Sequence, residues 1–210
     1  GEYNIPLRYL FAKRGNIDVN LHIYEKGHPE IDLNLLFRDY LRTHPQACEK
    51  YTALKRNLLL DETSFQKTES GFIHYTLRKG DFIRDLLKEA GWNKVRLLKC
   101  NDETEWKAAK TFRHRYFSKT TDPTDLDTEI SYHPDHEHLV LYQGIDIIGY
   151  GHIELCVNEH ALLHFFIIEE QKRNQTFGTQ FLTLCEKWLK RRGYKSLKVN
   201  ATPEIREFFK

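Results

Sequence analysis

EEQKRNQTFGTQFL, residues 169–182, is the stretch on which the reading of this chain turns. An apolar run, ALLHFFII (161–168), ends just before it, and an amphipathic pattern follows it. Strand, then a loop with a basic residue and a glycine, then helix is an arrangement suited to an anion. The first turn of a helix leaves N–H groups without intrahelical acceptors and carries the positive end of the dipole. The loop holds one glycine, Gly178, and has Thr176 two residues before it. Anion binding through main-chain amides needs a backbone conformation rather than a side chain, so Thr176 is acceptable at negative φ. A left-handed conformation there would cost threonine roughly 1–2 kcal/mol.

Outward from the loop, Phe177, Phe181, Leu184, Cys185 and Trp188 fall on one helical face, and Gly193 ends that helix. SLKVNA then reads as a strand, and Thr202-Pro203 opens a last helix. In the other direction, HLVLYQGIDIIGYGHIELCV has the pattern of a hairpin turning near Gln143-Gly144, and Asn158-Glu159 turns the chain into ALLHFFII. Before the hairpin lies an irregular stretch, Ser118 to His138, with six acids against Lys119. The acids are Asp122, Asp125, Asp127, Glu129, Asp135 and Glu137. VRLLKC is a short strand, and NDETEW sets Asp102 and Glu105 at capping-box spacing ahead of a helix reaching about Phe117.

The first third has another rhythm. VNLHIYE alternates as a half-buried strand. GHPEIDLNLLFRDYLRTH has helical spacing at Ile31, Leu35, Leu36 and Tyr40, and Pro45 opens a second helix with Ala47, Tyr51, Leu54 and Leu58 on one face. GDFIRDLLKEAGW is a third helix capped by Gly91. The pattern changes at residues 92–95, which divides the chain into two units, 1–92 and 95–210. The expected fold class is α+β: a mixed sheet with flanking helices, preceded by a smaller α/β unit.

Composition sets bounds. The 210 residues are 40% hydrophobic and 30% charged with net charge +2, too balanced to point to nucleic acid or a membrane surface. No apolar run approaches the roughly 20 residues of a membrane helix, and there is no secretory signal. Cys48, Cys100, Cys156 and Cys185 are far apart with no CxxC, which reads as free buried thiols in a reducing cytoplasm. The chain has no methionine and begins at Gly1, so spacings are read locally. His133, Asp135, His136 and His138 carry metal-ligating chemistry, but alternation along an entering strand accounts for them, and no metal is expected.

With these elements in order, Arg173-Asn174-Gln175-Thr176-Phe177-Gly178 resembles the acetyl-CoA loop of the GNAT superfamily of N-acetyltransferases, Arg/Gln-x-x-Gly-x-Gly/Ala. QGIDIIGYGHIEL resembles that family's second and third strands, and SLKVNATPEIREFF its fifth strand and following helix. The resemblance implies a GNAT-like, largely antiparallel mixed sheet. It also implies acetyl transfer from acetyl-CoA to a primary amine, by direct attack in a ternary complex. Residues 173–178 and Thr179 would hold the pyrophosphate of acetyl-CoA. The backbone near Phe166, Ile167 and Ile168, with Asn200, would hold its pantetheine arm. Glu154 and His164 are the candidate bases. Phe209 stands where many members carry the tyrosine that protonates the leaving thiolate, and Tyr150 is the other tyrosine considered for that role. The acidic stretch would line the cleft for a small-molecule or peptide amine that is cationic. Two more strands follow the last helix in that family, and they are expected either beyond this chain or from the partner in a homodimer. Lys187 to Lys195 reads as the exposed face and cap of the loop helix rather than a nucleic-acid patch.

LHIYEKGHPEIDLNLLFRDYLRTHP, with YTALKRNL after it, resembles the GrpB-like family, related to the nucleotidyltransferase fold. His22, Arg38, Asp39, Lys55 and Lys79 stand in that pattern, but the family's Gly-Ser and paired-acid segment is absent, leaving no carboxylate pair for magnesium. Two further functions stay open at this point: an acyl-CoA sensor without turnover, and nucleotide binding or nucleotidyltransferase-like action through residues 1–92.

Overall fold

A computed structural model describes residues 4–67, 73–117 and 133–199, with Phe117 described in its backbone alone. In chain order the elements are β1 (Arg8–Lys13), β2 (Val19–Tyr24), α1 (Pro29–Thr43), α2 (Pro45–Leu60), α3 (His74–Leu77) and α4 (Gly80–Glu89). There follow β3 (Val95–Lys99), α5 (Glu103–Phe117), β4 (His136–Gln143), β5 (Asp146–Cys156), β6 (His160–Ile168), α6 (Phe177–Arg191) and β7 (Ser196–Val199). Strands β1 and β2 form a two-stranded sheet; β3-β4-β5-β6-β7, in that order, form a five-stranded one. Two compact units result: Gly1–Leu21 with Leu97–Leu141 and Ile147–Lys210, and His22–Arg96 with Tyr142–Asp146. Among the described residues no helix is long and apolar enough to cross a membrane.

In the second of these units the break at His44-Pro45 is where the sequence puts it. His44 closes α1 with its N–H donated to Tyr40 O at 2.9 Å, and Pro45 starts α2. The inward face of α1 is centred on Leu33, which is buried, while Leu35 is 42% exposed. The apolar pattern allowed either row, and Leu33 wins because it packs with Leu87 and Trp92. Glu30, which is buried, pairs at 2.8 Å with the partly buried Arg96, and Arg96 also lies over the Tyr142 ring. Gly91 has φ +72 just past α4, as a left-handed cap requires.

The other unit holds the five-stranded sheet. Strands β5 and β6 run antiparallel and β6 and β7 parallel, so the sheet is mixed. One face meets α6 through Phe181, Cys185 and Trp188, all fully buried, as the spacing of the loop helix predicts. Glu137, expected in an acidic lip, instead accepts from Lys99 Nζ at 2.8 Å and from Arg192 at 2.7 Å, and both cations lie over the Trp188 ring. Strand alternation places it opposite His136 and His138, on the α6 side. The strand Arg8–Lys13 was not legible in the sequence, and Tyr9 and Phe11 on it are exposed. Cys185 is buried, Cys100 and Cys156 are half-buried and Cys48 is exposed, all as free thiols, so burial holds for only part of that set.

The capping box ahead of α5 forms as read. The Glu105 N–H donates to Asp102 Oδ1 at 3.0 Å, and the Asp102 and Asn101 N–H groups donate to Glu105 Oε2 at 3.2 and 2.7 Å. Replacing Asp102 by alanine leaves one helix donor unanswered. We expect a loss of about 1 kcal/mol, seen as a fall of roughly 2–4 °C in melting temperature. An unchanged transition would show that water caps this end equally well.

Candidate active site

Where β5 and β6 pair, Gly149↔Ile168 through His152↔Phe165 stay in register, and then Ile153 pairs with Leu163. His164 is therefore the extra residue of a bulge. A bulge bends its strand and re-aims a side chain, and here it turns His164 onto the face carrying Glu154. Parallel pairing of β6 with β7 runs from His160↔Ser196 to Leu163↔Val199, so His164 comes directly after the last paired residue described.

His164 Nε2 lies 2.7 Å from Glu154 Oε2. These two, separate candidates in the sequence, form one pair, each side chain about one-third exposed. An ionised carboxylate only accepts, so a neutral His164 holds its proton on Nε2 and presents Nδ1 as an acceptor. The hydrogen bond from His164 holds the Glu154 carboxyl below its usual range.

Under the pair lies a layer of histidines. His152, 1% exposed, has Nε2 2.7 Å from His136 Nδ1, and its ring stacks on His138 at 4.3 Å and on His164 at 5.0 Å. Arg113 of α5, fully buried, donates to Tyr150 Oη at 3.3 Å and lies over the Phe165 ring. Tyr150 Oη is 2.8 Å from His138 Nδ1. Since guanidinium can only donate, the Tyr150 oxygen accepts from Arg113, and the direction of its bond with His138 Nδ1 follows the tautomer of that ring. Burial is the main cause lowering the His138 pKa to about 3, with Arg113 next. Burial likewise lowers His152 to about 2, with His138 the next cause. Both rings are therefore neutral near neutral pH. Tyr150 is fully buried with its hydroxyl engaged, a position that suits packing rather than proton donation to a bound thiolate.

On the opposite face Gly151 lets α6 approach: a Cβ there would run into the Phe181 ring, which also packs on Phe166 at 4.9 Å. This contact fixes where α6 begins relative to β6. Between them Arg173 to Thr176 are exposed, and Arg173 Nε donates back to Ile168 O at 3.0 Å. Thr176 has φ −28, so it avoids the left-handed cost, and its hydroxyl accepts from Gln180 Nε2 at 2.9 Å. The left-handed residue is Asn174, φ 58, a type that tolerates that conformation. The Phe177 N–H turns back to Gln175 O, and the Gln180 N–H donates to Thr176 O at 2.9 Å. The amides of Gly178 and Thr179, in the first helical turn, have no acceptor among the described residues. Phe166, Ile167 and Ile168 are on β6 as read; Asn200 and Phe209 lie outside the described residues. The sequence reading missed His152 and Arg113. Their alternation with Tyr150 and their helix phase were available, but only the folded sheet shows that they share one face.

Residues 99–210 match the model of the GNAT acetyltransferase domain, just over half of the chain. The chain belongs to the GNAT family. Residues 1–89 match the GrpB protein family. The GNAT part is similar in fold to a GNAT family acetyltransferase of Staphylococcus aureus, 20% identical, covering 52% of this chain and 88% of that one with TM-score 0.44. The GrpB part is 48% identical over 59 residues to the UPF0157 protein YqkA of Bacillus subtilis, covering 28% of this chain. It is also 33% identical over 78 residues to the UPF0157 protein BH1888 of Halalkalibacterium halodurans, covering 37% of this chain. These matches span 17% and 37% of the two relatives' own lengths. The GNAT membership makes acetyl-CoA the family's acyl donor.

Proposed function

We propose that this chain transfers an acetyl group from acetyl-CoA to a primary amine, with the Glu154–His164 pair removing the amine's proton. The observation that carries the reading is that pair, 2.7 Å apart at a bulge in β6 and a few residues before the exposed loop. The free amides of Gly178 and Thr179, with the α6 dipole behind them, suit the pyrophosphate, and Arg173 adds positive charge. Asn174, Gln175, Thr176 and Phe177 shape that turn, and the β6 backbone at Phe166, Ile167 and Ile168 runs toward it. The reading assigns Asn200 to the pantetheine arm as well. In the transfer the amine nitrogen bonds the acetyl carbon while the carbon–sulfur bond breaks. The proton goes to His164 Nδ1, and the thiolate leaves to take a proton from solvent. The acceptor is a small-molecule or peptide amine, drawn while cationic and deprotonated at the site.

The test is a thermal-shift titration with acetyl-CoA and CoA, then release of free thiol with a polyamine, an amino sugar, an aminoglycoside and a lysine peptide. Acetyl-CoA at 100 times its dissociation constant should stabilise the fold by about 2.7 kcal/mol. Gly178→Pro should abolish the shift yet fold, because the first turn of a helix tolerates proline while losing an amide donor. Stabilisation without thiol release from any amine would leave an acyl-CoA sensor. No stabilisation by either CoA species would remove the reading altogether.

A further inference from the structure

Strand β2 alternates Val19, Leu21 and Ile23 with Asn20 and His22, the pattern of a strand that buries one face. In the fold that apolar row is exposed. On β1 the exposed row is again the one carrying Tyr9 and Phe11, while Arg8 on the other row is buried and Leu10 half-buried. Two six-residue strands with five residues between them can pair only as an antiparallel hairpin. Pairing over their full lengths sets Phe11 opposite Leu21 and Tyr9 opposite Ile23, so the two apolar rows share one face. With Ile17 of the connecting turn, these side chains are between 45% and 78% exposed. The row that a strand ordinarily buries is the row left open here.

We propose that two copies of this chain pack hairpin against hairpin through this face, about a twofold axis. A sheet with one apolar face must bury it against another layer, and a two-stranded sheet is marginal without one. The face offers little charge to direct a charged partner. Lys13 stands at the end of the β1 row, and Arg14 in the turn is answered within the hairpin, by Asp18 at 3.8 Å and Asn20 Oδ1 at 3.0 Å. An apolar face of this kind complements itself, as a twofold interface requires, since both copies use the same patch. The area points the same way. At those exposures the six side chains leave roughly 600 Å² open in one copy, the upper end for the largest apolar patch of an ordinary monomer. Two copies covering each other would bury about 1,200 Å², where stable interfaces begin. Face-to-face sheets interdigitate their inner side chains, which places Phe11 and Leu21 at the centre of the contact.

The experiment follows the mass of the full chain by sedimentation equilibrium and light scattering over a wide concentration range. No CoA is present, so failure here leaves the acetyl-transfer reading untouched. The parent should be a dimer that dissociates on dilution, with a melting temperature that rises with protein concentration. Phe11→Lys or Leu21→Lys should each raise the dimer dissociation constant roughly tenfold or more, because the twofold repeats every lost apolar contact and sets like charges near one another. The double variant should be a monomer at every concentration. Since both positions are exposed, it should melt as the parent does at its most dilute. Leu60→Lys, at a still more exposed apolar position at the end of α2, should dimerise as the parent does. A parent that stays monomeric throughout overturns the proposal, and so does a dimer that survives in the double variant. Open-ended growth into larger assemblies overturns the closed twofold pairing.

Discussion

The melting temperature should fall steeply as pH drops from 6.5 to 5, with His138 and His152 the main cause. Both are buried and neutral in the folded chain, with pKa values lowered from 6.5 to about 3 and about 2. The unfolded chain therefore binds more protons than the folded chain everywhere between those values and 6.5. Stability is complete above the unfolded pKa and is lost progressively as pH falls toward the folded ones. At pH 5 each group costs about 2 kcal/mol, about 4 together, a large part of an ordinary domain's stability. Glu154 changes little in this window. Its pKa is lowered too, but it is partly exposed, and its loss begins only near the ordinary carboxylate range. His152→Phe keeps a ring in the layer and removes one of the two groups, so its acid loss should be close to half. A melting temperature flat from pH 7.5 to 5, or an acid loss unchanged in His152→Phe, would show that these rings titrate normally.

The fold was legible where one physical signal dominated. The capping box Asp102/Glu105, the proline break at 44–45, the left-handed Gly91 and the apolar face of α6 are local devices, and each forms as read. β1 was not legible. RYLFAK has apolar Tyr9 and Phe11, yet both remain exposed, so alternation there does not separate a buried face from an open one. Leu35 failed for a related reason: three neighbouring apolar residues on α1 permit two inward rows, and the choice is made by Leu87 and Trp92, distant in sequence.

The site divides along the same line. The loop could be placed because strand, loop and helix are contiguous, and the condition on Thr176 could be stated in advance because φ depends on local sterics. The pairing of Glu154 with His164 could not. It needs the one-residue bulge after His152, because in an unbroken ladder His164 would sit on the face opposite its neighbours Leu163 and Phe165 without the local bend that re-aims it. The histidine layer is a sheet property as well. His136 and His138 come from β4 and His152 from β5, and only strand order makes them adjacent.

Replacing His164 by alanine should lower kcat/KM for the best amine in the panel by roughly 10²–10⁴-fold, the range ordinarily lost with a general base. Glu154→Gln should be milder, because the glutamine carbonyl can still accept from His164 Nε2 and hold the ring in place. What it cannot supply is negative charge. A carboxylate beside an imidazole steadies the imidazolium that forms as the amine's proton is taken, and the neutral amide does so less well. kcat should then fall with KM for the amine little changed. A purely structural role would instead lower stability along with the rate. Both side chains are about one-third exposed, so neither substitution should cost much folding free energy. A His164→Ala variant with undiminished kcat/KM would remove the pair from the chemistry and leave the amine to lose its proton to water.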